Sequence, residues 1–131
     1  MPTSITVKDH MTTDLVSFTP DMEILRAAQT LVEHRIAGAP VIDLHGNLVG
    51  MISEMDCVRV ALHASYYEEY GGKVSEYMTK EVTTVDADTS IAEVAQVMVK
   101  GRYRRLPVMY DNRLVGQISA HDVLKALGQL W

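Results

Sequence analysis

Two seven-residue stretches of the chain carry residue types that could do chemistry: Gly50-Met51-Ile52-Ser53-Glu54-Met55-Asp56 and Gly116-Gln117-Ile118-Ser119-Ala120-His121-Asp122. Each has a glycine inside an apolar run, then a hydroxyl, then a carboxylate three residues on. Glycine near the end of a strand lets backbone and ligand approach closely, because there is no Cβ to collide. A serine hydroxyl can donate to phosphate or ribose, and an ionised aspartate only accepts, which suits two donating ribose hydroxyls. A phosphate could rest by the opening turn of the following helix, where unbonded N–H groups and the helix dipole favour an anion. The same Ser-x-x-Asp spacing is also a capping box, so ligand binding and helix capping both remain open. Ser53, Asp56, Ser119 and Asp122 lead the candidate site residues.

Other chemistries are poorly supported. His10, His34, His45, His63 and His121 are scattered, with no pair at i, i+4 and no accompanying cysteine pair, so zinc spacings are missing and no metal site is expected. Cys57 stands alone, which rules out an intrachain disulfide and fits a small apolar helix residue. No Gly-x-Ser-x-Gly, Walker or Gly-x-Gly-x-x-Gly motif occurs, and Glu68-Glu69 lies in a connector where solvation explains it. No enzymatic activity and no catalytic cofactor are expected. His121, directly before Asp122, could approach a phosphate, although a polar residue at a helix start needs no ligand to explain it.

Lys100, Arg102, Arg104 and Arg105 form the densest basic cluster. Guanidinium suits phosphate, being permanently charged and able to donate two hydrogen bonds at once. The alternatives are a solvated surface or a nucleic-acid patch with Tyr103 as stacker; the cluster's shortness and the chain's formal net charge of -5 argue against nucleic acid.

The elements that must position these residues come in two copies. Val7-Lys8-Asp9-His10-Met11-Thr12 matches Val74-Ser75-Glu76-Tyr77-Met78-Thr79, and the register continues through Ile24, Ala28, Gln29, Val32 and Arg35 onto Ile91, Ala95, Gln96, Val99 and Arg102. Pro40-Val41 falls on Pro107-Val108 and, past a one-residue gap, Leu48-Val49-Gly50 on Leu114-Val115-Gly116. Glycine, proline, serine and aspartate coinciding at fixed offsets mark a tandem duplication. Leu15–Phe18 and Val82–Val85 read as strands; Ile24, Ala27, Ala28, Leu31 and their counterparts as apolar helical stripes. Ser90 with Glu93 offers a capping box for the second of those helices. Hairpins turn at His45-Gly46-Asn47 and Asp111-Asn112-Arg113, and helices close each half from Asp56 and Asp122. Met22, Met55, Met98 and Met109 read as core fillers. The order is strand, helix, strand, strand, helix, twice, an α+β class. Repeats at 7–62 and 74–127 flank a connector at 63–73 in which Gly71-Gly72 is the hinge or turn. About 55 residues are marginal alone, so the two halves are expected to pack sheet to sheet as one module over 1–131.

The chain has 131 residues, 47% hydrophobic and 22% charged, an ordinary globular composition. Its first residues carry no basic n-region or apolar h-region, and no stretch nears the roughly 20 apolar residues of a membrane span. A cytoplasmic protein without membrane partners is expected.

Met-Thr before the first strand, the Pro-Val strand, and Gly-x-Ile-Ser-x-x-Asp at a strand-to-helix junction, all occurring twice in order, resemble the cystathionine-β-synthase (CBS) domain family from about Val7 to Leu127. The resemblance implies a tandem pair with two clefts about a pseudo-twofold axis, a homodimer, and a regulatory role toward an enzyme or transporter. It implies AMP, ADP or ATP as ligand, with S-adenosylmethionine in some members. It also draws the adenine walls from Ile36, Ala37 and Gly38 with Val16 for one cleft and from Tyr103, Arg104 and Arg105 with Thr83 for the other, often from the repeat opposite the one that supplies the aspartate. In relatives, basic residues at the positions of Arg104 and Arg105 reach nucleotide phosphates, so the two halves are not expected to offer equivalent sites. A ligand-independent dimeric scaffold with vestigial clefts is the rival.

Overall fold

The structure is a computed structural model that describes residues 5–67, 71–129 and 131. It contains two compact units, one formed by Val16–Val82 and the other by Met1–Leu15 together with Thr83–Trp131. They are called here the first and second unit.

In the first unit, helix α1 (Ile24–His34) precedes strands β1 (Gly38–Ile42) and β2 (Leu48–Ser53), helix α2 (Glu54–Tyr67) and a one-turn helix α3 (Val74–Tyr77). Strands β1 and β2 pair antiparallel, with Gly38 opposite Ser53 at the end that feeds α2. The stripe read from the sequence is the one buried: Ile24, Ala27 and Leu31 face a core with Phe18, Val41 and Ile52, and Ala28 packs at its edge. The second unit repeats the pattern with β3 (Val85–Asp86), α4 (Ile91–Gly101), β4 (Arg105–Tyr110), β5 (Arg113–Ser119) and α5 (Ala120–Gly128). Its sheet runs β3-β4-β5, with β3 parallel to β4 and β5 antiparallel. Ile91, Val94 and Met98 of α4 reach a core with Leu106, Val108 and Ile118.

Both hairpin turns use left-handed backbone, in a two-residue connection between β4 and β5 and in a five-residue loop, 43–47, between β1 and β2. Asp111 and Asn112 have φ of 52° and 61°, and Gly46 has φ of 83°. Asp43 closes the first turn by accepting from the backbone N–H groups of His45 and Asn47, each at 2.9 Å. The Asn47 N–H, before any other contact, holds the Asp43 carboxyl below the ordinary carboxylate range.

The first strands are shorter than expected. Of Leu15–Phe18 only Phe18 pairs, bridging Val41, and of Val82–Val85 only Val85 joins a strand, with Asp86. The reason is length of contact. Phe18 donates to the Pro40 carbonyl and accepts from Ile42, both within 2.9 Å, and the preceding residues find no further strand partner among the described residues. Met55 also departs from expectation: it is 56% exposed, whereas Met98 is buried and Met22 packs on a core. The helix buries Cys57, Val60 and Ala64, a face that turns residue 55 outward. The expected connector at 63–73 begins as the last turn of α2; Glu68, Glu69 and Tyr70 lie outside the described residues, and Gly72 has φ of 123°.

The Met-Thr segments explain the strand glycines. Thr12 exchanges backbone hydrogen bonds with Gln117 at 2.8 and 2.9 Å, and Thr79 does the same with Met51 at 2.9 Å each way. A Cβ on Gly116 would stand 2.8 Å from both the Met11 sulfur and the Thr12 carbonyl oxygen; one on Gly50 would stand 2.6 Å from the Met78 sulfur. The space that glycine leaves is filled by the chain itself, which corrects its reading as room for a ligand. The same segments deliver a fully buried valine to each core, Val7 to the second unit and Val74 to the first.

Gly116→Ala is therefore expected to destabilise the protein by about 1–3 kcal/mol, the usual cost of overpacking. Urea unfolding would measure it, and an unchanged midpoint would show that the Met-Thr crossing relaxes freely.

Candidate functional site

Each candidate corner is the place where a hairpin's second strand turns into a helix. In the second unit the Ser119 hydroxyl accepts from the Asp122 N–H at 3.1 Å, and Asp122 Oδ2 accepts from the Ser119 N–H at 2.9 Å. In the first unit Ser53 and Asp56 do the same at 3.1 and 2.9 Å. Both pairs are thus closed capping boxes, the arrangement the spacing had left open. The N–H of the first helical residue is also taken: Ala120 donates to the Arg104 carbonyl and Glu54 to the Ala37 carbonyl, each at 2.8 Å. Two of the first three N–H groups are thus taken at each corner, so an anion there depends mainly on side chains.

The two carboxylates differ in their remaining oxygen. Asp56 Oδ1 lies 3.4 Å from the Arg59 guanidinium, while Asp122 Oδ1 has no hydrogen-bond or ion-pair partner among the described residues. Asp122 can cap α5 through one oxygen and accept from a ligand through the other.

The strand-entry segments stand beside the caps. Arg105 is paired across the sheet with Ser119, and Gly38 with Ser53, so Tyr103-Arg104-Arg105 and Ile36-Ala37-Gly38 each adjoin the Ser-x-x-Asp of their own unit. They are delivered there by helix ends of one design. Arg102 and Arg35 stop α4 and α1 in left-handed conformations, φ 58° and 54°, and Tyr103 and Ile36 then donate back to the Met98 and Leu31 carbonyls. Thr83 and Tyr103 join hydroxyl to hydroxyl at 2.8 Å. Val16 and Ile36, at the matching places, are half-buried against the first core.

Lys100, Arg102, Arg104 and Arg105 are all exposed, and none forms an ion pair among the described residues. His121 is exposed in the first turn of α5. A surface pocket of about 370 Å³ in the first unit is lined by Thr19, Pro20, Asp21, Asp43, Leu44 and His45 and contains none of the expected site residues. Cys57 is buried, and that burial, with the Asp56 carboxylate second, pushes its thiol up, so it packs rather than reacts. No cluster of three or more candidate metal ligands occurs among the described residues, and no helix there is long and apolar enough to cross a membrane.

A family model described as "CBS domain" matches residues 7–63 and again 74–129. The chain belongs to the CBS-domain family. Among solved structures, this CBS pair is similar to CBSX2 of Arabidopsis thaliana in complex with AMP, at 31% identity and a TM-score of 0.83 over 96% of this chain and 98% of that one. It is also similar to the CBS domain pair of MJ0100 in complex with 5′-methylthioadenosine and S-adenosyl-L-methionine, at 30% identity and a TM-score of 0.78 over 96% and 98%. Of curated proteins, MJ1225 of Methanocaldococcus jannaschii is 30% identical over 95% of this chain, which spans only 44% of that protein's length. The inosine-5′-monophosphate dehydrogenase of the same organism is 33% identical over 86% of this chain, which accounts for 21% of the enzyme.

The capping boxes set a measurable baseline for the CBS pair. Ser119→Ala removes the oxygen that accepts from Asp122 and is expected to cost about 1 kcal/mol of stability without ligand. A loss below a few tenths, by chemical denaturation, would mean that the box contributes little to holding α5.

Proposed function

We propose that this CBS pair is a regulatory module that binds an adenine nucleotide, AMP, ADP or ATP, and signals its occupancy to a partner without catalysing a reaction. The observation that carries this reading is the unpaired basic cluster at the second corner. Four cations collected on the segment that adjoins a helix start, in a chain of net charge -5, are what a phosphate needs. Arg104 and Arg105 would take the phosphates, Asp122 Oδ1 the ribose hydroxyls, and Thr83 and Tyr103 would flank the base. Ser119 and His121 complete this set. Ser53 and Asp56, with Val16, Ile36, Ala37 and Gly38, form its counterpart in the first unit. AMP in the CBSX2 structure and S-adenosylmethionine in that of MJ0100 support an adenosyl ligand. An absent catalytic role fits the small share of the dehydrogenase that this chain matches, since most of that enzyme lies elsewhere.

The signal requires different ligand affinity in two states of the module, since a ligand that binds both equally shifts nothing. The partner is an enzyme or transporter in the cytoplasm, a compartment compatible with a lone buried thiol. Nucleic acid is not among the proposed partners, because the cluster is confined to four residues of one connection.

A thermal-shift panel of AMP, ADP, ATP and S-adenosylmethionine tests the proposal. A ligand at 100 times its dissociation constant is expected to add about 2.7 kcal/mol. Asp122→Ala should abolish most of that shift while lowering the unliganded midpoint only by the cost of a cap, and Asp56→Ala should affect a second site. No shift with any of the four at millimolar concentration would refute nucleotide sensing.

A second reading, a ligand-independent homodimeric scaffold, is favoured by one feature. The outer face of α2 exposes Met55, Val58 and Leu62 at helical spacing, 55–68% accessible. A homodimer through this face is part of both readings, and Val58→Glu with Leu62→Glu is expected to convert it to monomer in analytical ultracentrifugation. A wild-type chain that sediments as a monomer at micromolar concentration would remove the scaffold.

A further inference from the structure

The two corners share a backbone and differ in most of the side chains around it. The carbonyl that receives the first helical N–H belongs to Ala37 in one and Arg104 in the other, at 2.8 Å in both. Opposite the cap serine stands Gly38 in one and Arg105 in the other. The helix leading in carries Glu33 where its counterpart carries Lys100, and the helix leading out opens on Glu54 instead of Ala120. Glu33, Arg35 and Glu54 leave the first corner with one net negative charge; Lys100, Arg102, Arg104 and Arg105 give the second four positive ones. Arg59, which could have offset this, already pairs with Asp56.

Polarity changes in the same direction. Val16 and Ile36 pack on the first core, while Thr83 and Tyr103 hold each other by their hydroxyls. Position two of the closing helix is Met55 in one unit and His121 in the other. A Cβ on Gly38 would come within 2.9 Å of the Ile52 carbonyl oxygen, so this first corner cannot acquire a side chain where the second has an arginine.

Resting on the nucleotide-binding reading, we propose that the corners sort adenosyl ligands by charge. The second takes a phosphorylated adenosine, and the first takes an adenosine derivative that has no phosphate and is neutral or cationic, such as a thioether or sulfonium. Electrostatics and apolar contact act together here. A polyphosphate meets four cations at the second corner but a net negative charge at the first. A methylthio group finds an apolar wall in Val16 and Ile36.

Calorimetric titration of the full chain with ATP and with 5′-methylthioadenosine, each alone and each with the other saturating, tests this. The expected result is one equivalent of each per chain, without mutual displacement, and with only the ATP affinity falling as salt is raised. Arg104→Ala with Arg105→Ala should weaken ATP roughly tenfold or more while leaving 5′-methylthioadenosine within about twofold, which also reports that the variant is folded. Competition between the two ligands, binding of ATP alone, or equal weakening of both by the double substitution would overturn the sorting and leave nucleotide binding intact, whereas binding of 5′-methylthioadenosine alone would overturn both readings. Silence with both ligands would overturn the two readings together.

Discussion

The constraint on which the rest of this molecule depends is the passage of a Met-Thr segment over a strand glycine. At Gly116 the approach is close enough that a single added carbon would strike the Thr12 carbonyl, and at Gly50 it would strike Met78. The crossing lies three residues before the cap serines, which are the last residues of β2 and β5. It also brings Val7 and Val74 to full burial, in cores whose other members come from the opposite sequence repeat. The compact units consequently do not coincide with the repeats read along the chain. Each unit is one repeat's strands and helices closed by the leading segment of the other.

Given that frame, the capping boxes and a ligand site need not exclude each other. Ser119 and Asp122 satisfy donors that would otherwise be left open at the start of α5, which is a structural task present with or without ligand. The task occupies one carboxylate oxygen and leaves the other facing no partner. What distinguishes the second corner from an ordinary helix start is therefore the arginine pair beside it, not the serine and aspartate themselves. The first corner, with the same cap and no such pair, is the internal control that nature supplied.

Most of what is local was legible in the sequence. The helical stripes at Ile24 and Ile91, both hairpin turns and the Ser-x-x-Asp junctions all depend on neighbours within a few residues, and periodicity and turn chemistry report such neighbours directly. The glycines were legible as positions of close approach but not as to what approaches, because Met11 and Gly116 are far apart in sequence and backbone pairing over that distance leaves no periodic trace. Nor do Arg35 and Arg102 announce their left-handed turns, since glycine is the usual residue there and arginine carries no such signal. Met55 was misread because α2 has apolar residues on two faces, and composition alone does not say which face the core takes.

The reciprocal closure has a consequence for how such a chain could arise. A single copy carries both a leading segment and a strand glycine, but each segment here lies in the other copy's groove, so an isolated copy would close in the same way by exchanging that segment with an identical neighbour. Fusing two copies end to end turns the trade between molecules into one within a single polymer, where the partner's local concentration no longer depends on dilution. Once fused, the copies were free to diverge in charge without either losing the segment that finishes it.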